Sequence, residues 1–266
     1  MTFGVAPTPG QPSNRRPAGP DASPTGRPLI WAHKGASVRA PENTLPAFTE
    51  AVELGADGVE LDVQLSADDE LVVCHDETVD RTSNGHGWIR DLALSQLREL
   101  DFSGGRDGFA GTPIPTLREV LELLRPTGLN VNIELKNAVL PYPGMEQRVV
   151  DLVGETGMNS RVIYSTFNHN SAWRLTQAQS ANPVGVLHAE PLYRPWRYAS
   201  ALGAAAVHPS GAALRIDPCV NACHEAGIAV HVWTVDEPAQ ISACAKLGVD
   251  AVITNVPDVA REVLGA

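Results

Sequence analysis

The segment "GVELDVQL", residues 58–65, sends Glu60, Asp62 and Gln64 to one face of a strand and Val59, Leu61, Val63 and Leu65 to the other, because side chains alternate along a strand with period two. Two carboxylates on one face stand roughly 7 Å apart by strand rise and must be solvated or neutralised. "NVNIELK" repeats the pattern, with Asn132, Glu134 and Lys136 on one face and Val131, Ile133 and Leu135 on the other. Parallel sheets are usually covered on both sides, so two such strands imply a shared pocket. Burying Glu60, Asp62 and Glu134 as bare anions is prohibitive, and the economical solution is one divalent cation with hard oxygen ligands, Mg²⁺ or Ca²⁺. The plainer alternative, a half-wet strand in an open sheet, predicts no metal dependence.

His33 ends the run "LIWAH" and His75 follows "LVVC". Imidazole is the side chain whose unperturbed pKa lies nearest neutrality, so two histidines beside a cation supply one general base and one general acid. Spacing leaves open which is which. Lys34 and Lys136 add positive charge for an anionic substrate. A pocket with a dication, two lysines and two histidines, without a glycine-rich phosphate loop, suits hydrolysis of a phosphate ester better than nucleotide-driven transfer. A phosphodiester is the leading substrate class.

These residues need a scaffold that brings separate strands together. From Leu29 onward, short apolar runs alternate with segments of helical period, the signature of βα units feeding a parallel sheet. The expected strands are 29–33, 58–64, 130–135, 161–165, 183–187, 205–208, 229–233 and 250–253. Eight such units predict an α/β fold of the TIM (β/α)₈ type, whose active sites lie at the C-terminal ends of the strands. Glycine at helix ends in "LGADGVELDV", "LGAAAVHP" and "LGVDAVITNV" supports the count, since glycine accepts the left-handed conformation that stops a helix. Residues 65–128 are too many for one crossover helix. They are expected to form a small insertion over the barrel mouth between the second and third barrel strands, with a short strand and helices near 94–100 and 116–124. In "PENT", Asn43 or Thr44 is expected to cap the first helix, with Glu42 available to orient a neighbour.

At 266 residues, one catalytic barrel over 29–266 is the expected domain, preceded by a disordered Pro/Gly-rich tail over 1–28. Arg15 and Arg16 resemble a twin-arginine export signal but lack the apolar run that should follow, so the cytoplasm is the expected location. No apolar run approaches the length of a membrane span, and stable membrane insertion is not expected. Twenty Lys plus Arg against 31 Asp plus Glu, a net charge of −11, argue against a nucleic-acid surface. Cys74, Cys219, Cys223 and Cys244 follow no disulfide framework, which suits a reducing compartment. Cys219, Cys223 and His224 are at helical spacing and read as buried small side chains rather than a metal site. The oligomeric state is not legible in one chain.

The chain from about 29 to 263 resembles the glycerophosphodiester phosphodiesterase family in "AHKGASVRAPENTLPAF", "GVELDVQLSADDELVVCHDETVDRTSNGHG", "NIELK", "VWTVDE" and "LGVDAVITNVPD". The resemblance implies a metal-dependent barrel that cleaves a small-molecule glycerophosphodiester to an alcohol and glycerol 3-phosphate. It implies that Glu60, Asp62 and Glu134 are metal ligands, that His33 and His75 are general base and acid, and that Lys136 touches the phosphate. It also places an aromatic wall, here Phe167 and Trp233, beside the glycerol moiety. His188 and His208 fall at comparable strand ends and are expected at most to line the pocket. Two departures stand out. Lys34 replaces the arginine of the family's His-Arg-Gly, keeping the charge and losing the two-pronged contact. Asn255 replaces the aspartate of Ile-Thr-Asp and receives little weight. Two alternatives remain: a phospholipase-like diesterase acting on lysophospholipids or phosphoinositide-like diesters, and a non-catalytic phosphoester-binding barrel.

Overall fold

A computed structural model of the protein describes residues 26–178 and 180–266. Its strands are β1 (Leu29–His33), β2 (Gly58–Leu65), β3 (Leu71–Val73), β4 (Asn130–Leu135), β5 (Val162–Thr166), β6 (Val184–His188), β7 (Ala206–Pro209), β8 (Ala229–Val232) and β9 (Ala251–Thr254). Around the sheet they run β1-β9-β8-β7-β6-β5-β4-β2, all parallel, and pairing of Trp31 with Gly58 and of His33 with Glu60 closes the ring. β3 lies outside the ring, antiparallel on β2. The eightfold barrel expected from the sequence is the observed architecture.

Strands expected at 161–165, 183–187, 205–208 and 250–253 each begin and end one residue later. The apolar run marks where a strand exists, whereas its ends are set by where ladder pairing with the neighbouring strand starts and stops.

The helices are α1 (Leu45–Glu53), α2 (Leu94–Leu97), α3 (Leu117–Leu124), α4 (Met145–Glu155), α5 (His169–Gln177), α6 (Pro195–Leu202), α7 (Gly211–Ile216), α8 (Val220–Glu225), α9 (Pro238–Leu247) and α10 (Pro257–Leu264). Thr44 caps α1, its hydroxyl accepting from Ala47 N, and Pro46 sits in the first turn, where no backbone donor is missed. The outward side chains of β2 and β4, Val59, Leu61, Val63, Val131, Ile133 and Leu135, are buried under these helices with Phe48, Leu117 and Leu121. Each such side chain contributes roughly 1.5–3 kcal/mol by leaving water. Inside the ring, Leu29, Trp31, Ile163, Ala206, Ala251 and Ile253 pack together. An apolar plug of this kind makes the barrel a filled core rather than a pore.

Between β2 and α3 the chain forms a separate layer with its own small core of Val72, Cys74, Val79, Ile89, Leu97, Phe102 and Ile114. Arg106 ties this layer to the connection between β1 and α1, donating to the carbonyl oxygens of Ser37, Val38 and Ala40. The tail expected over 1–28 lies, as far as residue 25, outside the described residues. Arg27 grips Asp57 through two hydrogen bonds of 2.7 and 3.0 Å. Among the described residues, no helix is long and apolar enough to cross a membrane.

Candidate active site

Because β2 is buried along its whole length, the acidic face recognised in the sequence points into the barrel, not into water. β2 pairs with β4 in a register that sets Glu60 beside Asn132 and Asp62 beside Glu134. One carboxylate oxygen from each of Glu60, Asp62 and Glu134 lies within 4.8 Å of the other two, and all three side chains are buried. Burial, reinforced by the charges of Asp62 and Glu134, pushes Glu60 well above the usual carboxylate range. Glu134 is raised too, by burial and by the charge of Asp62. Burial also pushes on Asp62, but the charges of Lys136, His75 and Lys34 and a hydrogen bond from Asn43 outweigh it and leave this carboxyl low. Asn43 holds Asp62 from both ends, its Nδ2 donating to Oδ2 at 2.8 Å and its Oδ1 accepting from Asp62 N at 3.3 Å.

Asp62 Oδ1 is buried with no hydrogen-bond partner among the described residues. A buried carboxylate oxygen left this way is costly, and a cation is the partner that its two acidic neighbours would share. Three converging oxygens from rigid strands therefore fit a hard divalent ion. Lys136 Nζ lies 2.8 Å from Glu134 Oε1 and 3.7 Å from Asp62 Oδ1, so this lysine flanks the acidic trio.

His33 closes β1 and the chain then turns sharply. Lys34 adopts φ +57° and Gly35 φ +78°. A Cβ on Gly35 would meet the Ala47 backbone at 2.6 Å, so both space and φ require glycine there. The turn aims Lys34 N–H at Glu60 Oε2, 3.0 Å away, while Lys34 Nζ reaches Glu42 Oε1 at 3.2 Å.

The two histidines have different partners. His33 Nδ1 lies 2.8 Å from Asn255 Oδ1. The amide of Asn255 has its Nδ2 donating to Asp236 Oδ2 at 2.7 Å, so Oδ1 is the acceptor facing His33 and the ring carries its proton on Nδ1. Nε2 is then the basic nitrogen, 3.9 Å from Glu60 Oε2. Burial first, and the charge of Lys34 next, hold His33 below the ordinary imidazole range. His75 Nδ1 instead meets a carboxylate, Asp76 Oδ1, at 2.6 Å. Asp76 is held by Arg81, which keeps its carboxyl well below the usual range. Gln64, the third residue of the acidic face, donates to the carbonyl of His75 at 3.1 Å and accepts from Tyr142 OH at 2.8 Å. The inward face of β2 thus supports both the carboxylates and the segment carrying His75.

Phe167 follows β5 and Trp233 follows β8. Their rings meet edge to face with centroids 5.4 Å apart, joining two strand ends that are not neighbours in the ring. Trp233 Nε1 donates to the carbonyl of His208 at 2.8 Å. His208 itself does not line the mouth: it is fully buried inside the barrel with its Nε2 2.8 Å from His231 Nδ1. The missing side chain of Gly185 on β6 makes the space, since a Cβ there would come within 2.2 Å of that imidazole. His188 is also buried, with Nδ1 on the carbonyl of Glu190. His224 binds Asp250 at 2.8 Å, and Cys219 and Cys223 touch through their sulfurs at 3.8 Å.

Sequence reasoning undervalued Asn255, Asp76 and Arg81. Asn255 showed only a lost charge, although its amide orients His33. The motif "HDETVDR" contains both other partners, and its Asp directly after His75 was the available signal.

A barrel with ionisable side chains gathered where its strands end has the arrangement of an enzyme active site. The chain belongs to the glycerophosphoryl diester phosphodiesterase family, whose sequence model matches residues 33–259. It is 42% identical over 232 residues to the glycerophosphodiester phosphodiesterase of Caldanaerobacter subterraneus subsp. tengcongensis, covering 86% of this chain and 95% of that one. Among solved structures, an Oleispira antarctica phosphodiesterase in complex with the product sn-glycerol-3-phosphate superposes with a TM-score of 0.81 at 26% identity, over 91% of this chain and 98% of that one. The glycerophosphodiester phosphodiesterase of Agrobacterium tumefaciens gives a TM-score of 0.77 at 32% identity, over 88% and 99%.

Proposed function

We propose that the protein hydrolyses glycerophosphodiesters to an alcohol and glycerol 3-phosphate, with Glu60, Asp62 and Glu134 holding one divalent cation, Mg²⁺ or Ca²⁺, and with His33 and His75 as general base and general acid. The observation that carries this reading is the convergence of three buried carboxylates, one with an oxygen that accepts no hydrogen bond, beside an imidazole whose Nδ1 is tied to an amide and whose Nε2 lies 3.9 Å from Glu60.

The division of labour follows from the partners. Asn255 orients His33, and burial together with the charge of Lys34 outweighs that hydrogen bond and favours the neutral ring, as suits a group that accepts a proton. Asp76, bonded to His75 Nδ1 at 2.6 Å and itself held by Arg81, fixes the direction of that ring, as suits a group that must present a proton to one oxygen of the substrate. His33 Nε2 takes the proton of the nucleophile, either water or the glycerol hydroxyl of the substrate, the latter giving a cyclic phosphate that a water molecule then opens to glycerol 3-phosphate. His75 gives its proton to the departing alcohol oxygen as the P–O bond breaks. What the cation supplies when bound is polarisation of a non-bridging phosphate oxygen. Lys34 and Lys136 share the phosphate charge, and the Phe167–Trp233 pair gives the glycerol carbons an apolar wall. All four cysteines are free and buried, which agrees with the cytoplasm as the working compartment.

The test is release of glycerol 3-phosphate from glycerophosphocholine by purified protein with Mg²⁺ or Ca²⁺, against a chelator control and an acylated analogue. Cation-dependent release from the unacylated diester is expected. Preference for the acylated compound moves the substrate to lysophospholipids. Silence under metal-replete conditions leaves a phosphoester-binding barrel in place of an enzyme.

A further inference from the structure

Five charged or ionisable side chains form a continuous string at the barrel mouth: Lys34, Glu42, Arg81, Asp76 and His75. Arg81 is its centre. Its Nη1 and Nη2 donate to Glu42 Oε2 and Oε1 at 2.8 and 2.7 Å. Its Nε and Nη2 donate to Asp76 Oδ2 and Oδ1 at 2.6 and 3.1 Å. The outer faces of these carboxylates serve the site, because Glu42 Oε1 accepts from Lys34 Nζ at 3.2 Å and Asp76 Oδ1 bonds His75 Nδ1 at 2.6 Å. A planar guanidinium holds two carboxylates in fixed directions, which a lysine ammonium does not.

Arg81 is not required merely to fasten the layer that carries it. Arg106, on the same layer, already binds three carbonyl oxygens of the connection between β1 and α1.

We infer that Arg81 is a positioning residue that couples the phosphate-binding lysine to the acid histidine. It keeps Glu42 neutralised so that Lys34 is free to leave for the phosphate, and it locks Asp76 so that the His75 ring stays aimed. This rests on the function proposed above. Without Arg81, Glu42 has Lys34 as its remaining cation and retains it, so the substrate phosphate competes with a carboxylate for the ammonium. Asp76 meanwhile loses its anchor, and the ring it orients turns freely. The first loss weakens substrate binding. The second slows proton donation, and matters only when the leaving group needs a proton.

The experiment compares the parent, Arg81→Ala and the double variant Arg81→Ala/Glu42→Gln on two diesters: glycerophosphocholine, and a glycerophosphodiester of p-nitrophenol, which departs as a stable anion. In Arg81→Ala, kcat on glycerophosphocholine is expected to fall on the order of 10- to 100-fold, as for a displaced general acid. On the p-nitrophenyl diester kcat stays near the parent value, while KM rises for both substrates. Adding Glu42→Gln removes the trap for Lys34, so KM returns toward the parent value while kcat on glycerophosphocholine stays low. Parent-like kcat and KM in folded Arg81→Ala overturn the inference, as does an equal kcat loss on both diesters. Arg81→Met, which keeps the aliphatic stem and removes the charge, replaces Arg81→Ala if the latter does not fold, with the same pattern expected and the same results overturning it. A parent that releases no glycerol 3-phosphate defeats the function itself, and the inference with it; an active parent with indifferent Arg81 variants defeats the inference alone.

Discussion

His33 and Asn255 meet end to end where β1 and β9 run side by side, Nδ1 to Oδ1 at 2.8 Å, with Asn255 itself pinned by Asp236. The seam between β1 and β9 therefore sets the tautomer of the proposed base. Asn255→Leu, which removes the acceptor, is expected to lower turnover of glycerophosphocholine about 10-fold or more, a loss in the range for a mis-set catalytic histidine. Asn255→Asp keeps an acceptor for His33 and retains most of the turnover. It also sets a second carboxylate against Asp236, so its melting temperature drops while Asn255→Leu escapes that repulsion. Steady-state rates and thermal melts of the two variants check this.

Leaving-group dependence separates the histidines. His75→Ala is expected to cost about 10²-fold or more on glycerophosphocholine and little on a p-nitrophenyl diester, whereas His33→Ala slows both. The reverse pattern exchanges their roles, and near-normal rates in either variant on glycerophosphocholine remove the acid/base scheme.

The acidic trio makes cation binding visible without an activity assay. Mg²⁺ or Ca²⁺ is expected to raise the melting temperature of chelator-treated protein, corresponding to about 2.7 kcal/mol of stabilisation at a hundredfold excess over Kd. Glu60→Gln or Glu134→Gln blunts that shift and lowers the calorimetric affinity. A melting temperature indifferent to both ions in the parent rules out the assigned ligand set.

Asp76 carries a pH signature. Arg81 holds its carboxyl well below the usual range, so the folded state binds the carboxylate form more strongly than the unfolded state does. The resulting stability is fully present above the unfolded pKa of about 4 and is lost as pH falls through the lowered folded value. Asp76→Asn is expected to melt below the parent at pH 7, with the gap closing under about pH 4. The effect is modest, since Arg81 is half exposed and solvent screens the pair. Melts of both proteins between pH 3 and 7 test it.

The barrel was legible because period-two alternation and terminal glycines report local geometry, and Glu60, Asp62 and Glu134 shared a visible pattern with it. What escaped detection depends on distance along the chain. Glu42 and Arg81 are 39 positions apart, and His33 and Asn255 are 222 apart. No local spacing reveals such pairs, which become neighbours only once the ring closes and the layer between β2 and α3 folds over it. His208 was misplaced for a related reason: whether a strand-end side chain opens to solvent or fills the interior depends on the room the adjacent strand leaves, here the space beside Gly185 of β6.

The layer between β2 and α3 has its own small core, separate from the one that closes the ring. Such semi-independent units open locally at lower free energy than the whole protein unfolds. Warming or mild denaturant should therefore silence turnover while the ring and its carboxylate cluster remain intact, making loss of activity an early reporter of loosening at the periphery rather than of global collapse.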